Sequence, residues 1–157
     1  MNARKQTGLA AVEMAIVSML ALIVLFGVIE ISRLFFVVNA LEEATRRGAR
    51  VATVCQLNDQ AVLQNAIFND SGNAGASGLI RNLSTGDVAL EYLDEAGSVI
   101  GDPVGNYLDI SFVRVQIANY QHRLIIPLFT RTIGLPTFST TLPRESLGVT
   151  REGYTTC

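Results

Sequence analysis

The spacing of hydrophobic positions changes character along the chain, and each change marks a different kind of element. From Gly8 to about Val54 the pattern is helical throughout. Its first half is apolar on every side, and its second half is apolar on one stripe only. This predicts one long helix, embedded in a membrane at its start and packed against a small domain at its end. From Leu9 to Ile29 only Glu13 carries charge. At about 1.5 Å per residue that run reaches about 31 Å, the thickness of a bilayer's hydrocarbon core. It is too long for a secretory apolar region of about 7–15 residues, and no small-residue cleavage signal follows it, so a retained membrane helix is expected. Basic residues flank both ends, Arg4 and Lys5 before the span and Arg33, Arg46 and Arg47 after it, so charge counting leaves the orientation open.

Beyond the span, Ile31, Leu34, Phe35, Val38, Leu41, Thr45, Gly48 and Ala52 follow three-and-four spacing and predict a stripe lying on a core. The opposite face offers Glu42–Arg46 and Glu43–Arg47 in the favourable acid-first order. Together with Arg50 these cations read as a solvated face, with a basic patch for lipid headgroups or acidic partners as the alternative. Asn58 reads as the N-cap of a second helix, with Leu57 and Val62 placed as a hydrophobic staple. Val62, Leu63, Ala66 and Ile67 would point inward, and the helix would stop near Asn69. Residues 70–78 match no phosphate-binding fingerprint despite their glycines and read as a flexible surface loop. Two glycosylation sequons, at Asn69 and Asn82, are short enough to arise by chance.

After Gly86 the period becomes two and β-branched residues accumulate. Candidate strands are Val88–Leu93, Ser98–Gly101, Ile110–Tyr120, Arg123–Leu128 and Phe138–Leu147, with a hairpin turn at Asp94–Gly97. Val113, Val115 and Ile117 share one face of the long strand, while Arg114, Gln116 and Tyr120 would face water. Pro103, Pro127, Pro136 and Pro143 punctuate turns or edges. The fold class expected is α+β: a long N-terminal transmembrane helix continuing into an amphipathic helix packed on a small antiparallel sheet.

The chain has 157 residues and a formal charge of −2, which gives no electrostatic case for nucleic acid. Loss of residues 1–8 would remove Arg4 and Lys5 and leave the rest more acidic, so a polyanion is an unsuitable partner. Cys55 and Cys157 are the two cysteines. In an oxidising compartment they would tie the terminus to the helix, a loop worth about 4–5 kcal/mol in the chain-entropy model. In a reducing cytosol they would be two unrelated thiols. His122, the single histidine, sits in the expected turn Asn119–Arg123 and reads as a surface residue. No nucleophile elbow or metal-ligand spacing occurs, so catalytic residues, metal and cofactors are all expected to be none.

Glu13 lies one turn inside the span, where a carboxylate costs less than at the bilayer centre. It is either an acid suited to the first helical turn by the helix dipole or one kept for a cation from another chain. Glu30 and Arg33, three apart at the membrane exit, form either a weak interfacial pair worth a few tenths of a kcal/mol or an intersubunit pair.

A short basic leader ending in Gly8, an apolar helix starting at Leu9 and an acid at its fifth position, Glu13, resemble the cleavage site of type IV prepilins. The run AAVEMAIV, then FGVIEISRLFF, then NALEEATRRGARVAT is similar to TadE-like pseudopilins of the tight-adherence (Tad/Flp) pilus systems. The likeness is dense over residues 7–53. One departure is Leu9, where pilins more often carry Phe or Met. The resemblance implies a prepilin leader 1–8, a transmembrane helix 9–29, its amphipathic continuation 30–54 and a globular domain 55–157. It implies cleavage between Gly8 and Leu9 by a prepilin peptidase, and neutralisation of the new Leu9 ammonium by Glu13 of a neighbouring subunit. It further implies a minor pilin of the bacterial inner membrane with an extracytoplasmic domain. Its partners would be other pilin subunits, membrane lipid and the pilus assembly machinery, and its role would be pilus assembly for adhesion and biofilm formation. The alternative is a single-span anchored binding domain that does not polymerise. A small anchored enzyme is disfavoured for want of chemistry.

Overall fold

The computed structural model describes residues 6–69, 75–125, 131–154 and 157. A single helix, α1 (Gln6–Val54), runs through 49 residues without a break. No proline falls within it, so its backbone ladder is continuous over about 73 Å. The two halves differ in what covers them. Large side chains from Leu9 to Ile29 stand exposed, and the covered surface begins at Glu30.

The stripe that meets the domain is built from small residues. Ala40, Leu41, Ala44, Thr45, Gly48, Ala49, Ala52 and Thr53 are buried, whereas Ile31 and Phe35 are 57% and 63% exposed. The expected stripe is therefore right from Leu41 onward and misdirected in its first two turns. Periodicity weighted by bulk favours large side chains, but close packing here selects small ones. A Cβ added at Gly48 would lie 2.8 Å from the Ala66 Cβ and 3.2 Å from a Val115 methyl. That separation is below van der Waals contact, so glycine is what lets both neighbours approach the helix.

The second helix, α2 (Gln60–Ala66), starts one residue later than expected. Its cap is Asp59, whose carboxylate accepts from the Ala61 amide. Asn58 instead takes a left-handed φ of 59°, and its amide donates to the Tyr92 hydroxyl at 3.0 Å. The helix ends at Ala66, with Phe68 at φ 57° closing the turn. Residues 70–74 lie outside the described residues. Residues 75–78 after them lie outside any helix or strand, with Ala76 and Gly78 exposed, as a surface loop should, and they are anchored where Thr85 donates to the Gly75 carbonyl and Ser77 to that of Leu83. Asn69, the first sequon residue, is buried.

The main sheet has three antiparallel strands. The strand β1 (Val88–Leu93) pairs with the central β2 (Phe112–Ile117), which also pairs with a later strand, Phe138–Pro143. Val113, Val115 and Ile117 are fully buried toward α1, while Arg114 and Gln116 are half-exposed, as the alternation predicts. Glu91 and Arg114 stand opposite each other in the register and form an ion pair on the outer face.

Three expected strands are corrected. Ser98–Gly101 makes only one bridge, Leu93 to Val99, because the Asp94–Gly97 turn diverges after it. Ile110–Tyr120 shortens to β2, since the chain reverses at Asn119 with φ 59°. Of the expected strand 123–128, the described residues 123–125 do not extend the sheet. Instead β3 (Gln121–Arg123) pairs with β4 (Thr132–Gly134) as a separate hairpin, and residues 126–130, Pro127 among them, lie outside the described residues. Tyr120 is buried rather than wet.

The strand β5 (Phe138–Pro143) ends four residues earlier than expected, at Pro143. The chain beyond it forms a strap over the end of α1. Leu147 and Gly148 donate their amides to the carbonyls of Thr53 and Val54 at 3.0 and 2.8 Å, satisfying acceptors that a helix end leaves open. The short pair β6 (Val149–Thr150) and β7 (Gly153–Tyr154) comes next. Cys157 is disulfide-bonded to Cys55, across 102 residues of chain. Its amide donates to Asp59, so one carboxylate both caps α2 and holds the C-terminus.

Candidate functional site

The long helix carries both sets of residues singled out by the sequence. Gly8 and Leu9 lie in its first turns, with Leu9 75% exposed and no atom near the position a Gly8 Cβ would take. Glu13 is exposed one turn on, among Val12, Met14, Ile16 and Val17, all more than half exposed. Among the described residues nothing else covers this surface from residue 9 to residue 29. An apolar cylinder of this length must be covered by lipid, by other helices, or by both.

Glu30 is in a different situation. It is only 6% exposed, and three groups converge on its carboxylate. Arg33, one turn along α1, donates to both oxygens at 2.8 and 3.0 Å. His122 Nε2 on β3 lies 3.1 Å from Oε1, and the Ile125 amide donates to Oε2 at 3.0 Å. An ionised carboxylate can only accept, so the His122 Nε2 must carry the proton and donate. Burial pushes the Glu30 carboxyl upward. The Ile125 amide, His122 and Arg33 outweigh it and hold the group below its ordinary value.

The spacing of Glu30 and Arg33 thus does bring them together, within one chain. What sequence reasoning missed is that this pair is also the lock between α1 and the β3–β4 hairpin. His122, expected at the surface, is 2% exposed. The signal that could have found it is period two: Tyr120 and His122 are buried, and Gln121 and Arg123 between and after them are exposed. Tyr120 holds the neighbouring loop by donating its hydroxyl to the Arg81 carbonyl at 2.7 Å. Its burial raises the phenol above its ordinary value.

The basic face of α1 is partly absorbed by the domain. Arg46 pairs with Glu42, but Arg47 turns toward Asn65 and lies over the Phe68 ring at 5.5 Å. Among the described residues no three of His, Cys, Asp and Glu converge where a metal ion could sit.

No curated protein and no solved structure matches the chain. The family model described as TadE-like protein matches residues 8–50, from the glycine before the apolar run to the last turns of α1. Over the helix on which its domain is packed, the chain is therefore similar to TadE-like proteins.

Proposed function

We propose that this protein is a membrane-anchored minor pilin of a tight-adherence pilus, processed after Gly8 and assembled through its N-terminal helix. One observation carries the reading. The segment that matches the TadE-like family is also the segment that the other described residues leave bare, apart from its domain-facing stripe. A prepilin peptidase of the inner membrane would cut between Gly8 and Leu9 and create an ammonium group at the membrane face. Glu13 of an adjacent subunit would neutralise it. In a low-dielectric bundle an unpaired charge is costly, so the pair selects helix register as well as adding attraction. The Cys55–Cys157 bond suits a domain held outside the cytoplasm, in the periplasm, where disulfides persist. Its partners are then the peptidase, other pilin subunits, membrane lipid and the assembly machinery. Adhesion and biofilm formation would result from the pilus it helps to build.

The test is co-expression with a prepilin peptidase, then intact-mass measurement and N-terminal sequencing. The expected product starts at Leu9, and Glu13→Ala should be processed yet fail to support pilus assembly. A chain that keeps its initiator methionine, or a Glu13→Ala strain with normal pili, would return the assignment to an anchored domain that does not polymerise.

A further inference from the structure

Beside the Glu30 lock lies a cleft of about 150 Å³ whose lining includes Arg33, Phe36, Leu79, Arg81, His122 and Arg123. Three arginines on three separate elements therefore line one small space: α1, the loop before β1, and β3. Glu30, the carboxylate at its edge, is already engaged by Arg33, His122 and the Ile125 amide. Among the described residues neither Arg81 nor Arg123 has a carboxylate partner, and both are exposed. The cleft thus gathers three arginines, with Glu30 at its edge and Asp87 near Tyr120 as the neighbouring carboxylates, in a chain whose net charge is −2.

Its height along the helix is informative. Arg33 and Phe36 come after the last residue of the apolar run, Ile29, by four and seven positions, about 6–10 Å at 1.5 Å per residue. The headgroup layer on each side of a bilayer is about 5–8 Å deep. With residues 9–29 in the hydrocarbon, the cleft opens at the level of the lipid phosphates. Apolar residues share the lining: Phe36 and Leu79 are 54% and 51% exposed. An occupant that meets both features has an anionic head and apolar tails. Arginine forks match phosphate oxygens in bidentate geometry, which a neutral polar ligand would not use.

We infer that the cleft between α1, the loop before β1 and β3 binds the phosphate headgroup of an anionic phospholipid from the leaflet that the domain faces. The bound lipid seats the domain on the bilayer and fixes its height and tilt. This inference rests on the bilayer placement of residues 9–29. It does not depend on processing or polymerisation.

The full chain, reconstituted in nanodiscs of phosphatidylcholine and phosphatidylglycerol in equal amounts, is released into the gas phase and the lipids it retains are weighed. Phosphatidylglycerol should be enriched over phosphatidylcholine by roughly 30-fold, in line with two arginines acting at an anionic surface. The double variant Arg81→Gln/Arg123→Gln should lose that enrichment, and Arg151→Gln, in the β6–β7 turn, should keep it. An unchanged chymotryptic pattern of the disulfide-bonded domain reports that the double variant is folded. In neutral detergent, inorganic phosphate should not displace the retained lipid. Equal retention of both lipids, or enrichment that survives in the double variant, overturns the inference. Displacement by inorganic phosphate overturns it in favour of a free-anion site. A chain that fails to enter the nanodiscs at all removes the bilayer placement instead, so the two failures are distinguishable.

Discussion

Replacing Glu30 by alanine should release the β3–β4 hairpin from the long helix while leaving the rest of the domain folded. The carboxylate accepts from Arg33, His122 and the Ile125 amide. Arg33 is 34% exposed and can turn to water, so its loss counts for little. His122 is 2% exposed and is left without an acceptor in a covered site, whereas Ile125 is 55% exposed and its amide can turn to water. Hydrogen bonds to a charged group contribute about 1.5–3 kcal/mol each, and the freed groups recover part of that from entering water. The net cost for hairpin opening is then about 2–3 kcal/mol, which is about 30- to 150-fold in the population of the open form. Arg123 lies inside β3, paired with Thr132, so trypsin can cut after it only when the hairpin opens. Under conditions where reclosing is faster than cleavage, the rate of that cut should rise by the same factor. Glu30→Gln, which keeps the shape and one acceptor, should fall between wild type and alanine. In Glu30→Ala/His122→Ala the two effects should be less than additive, because each single change already breaks the shared contact. A Glu30→Ala rate within twofold of wild type would show that the hairpin is held by other contacts and that the lock contributes nothing.

The same contact has a pH signature. Because the Glu30 carboxyl is held below its ordinary value in the fold, its contribution is complete above the unfolded value and is lost as pH falls through the folded one. Amide exchange in the β3 peptide should therefore remain slow from neutrality to about pH 5 and quicken, beyond the intrinsic trend, only below about pH 4. That excess should vanish in Glu30→Ala. Reduction of Cys55–Cys157 frees a closure spanning 102 residues and should lower domain stability by about 4–5 kcal/mol. Melting in detergent with and without reductant, with both thiols then alkylated, checks this, and an unchanged midpoint would refute it. Gly148 has φ 80°, and an added Cβ would fall 2.7 Å from the backbone of Gln56. Gly148→Ala should cost more than about 2 kcal/mol and release the strap from the end of α1, quickening exchange of the amides at positions 147 and 148. Wild-type melting and exchange would contradict the strap's role.

The parts of this fold legible in the sequence are those with a period. The long helix, the buried face of β2 and the turn after β1 all repeat at a spacing that apolar residues report. The small-residue stripe on α1 is half hidden, because Ala40, Ala44 and Ala49 matter by what they lack and carry little hydrophobic weight. Asn58 and Asp59 are both good caps by type, and only the left-handed φ at Asn58 decides between them. The Glu30 lock is invisible for a different reason. Its partners are 92 and 95 residues away, one of them a backbone amide with no sequence signature at all. Lone histidines in short polar stretches are ordinarily at the surface, and the alternation that buries His122 spans only three residues of β3.

The unbroken backbone of α1 also makes the protein a crankshaft. Glu13 and Glu30 are 17 residues apart on one rigid rod, so their directions differ by a fixed angle of about 100°. Hairpin and strap grip that rod near residues 30 and 54, which keeps the domain from swivelling about it. Whatever orients the upper end therefore aims the lower end too: one residue inserted among positions 14–29 would swing the domain by about 100°, while seven would bring it almost back into line.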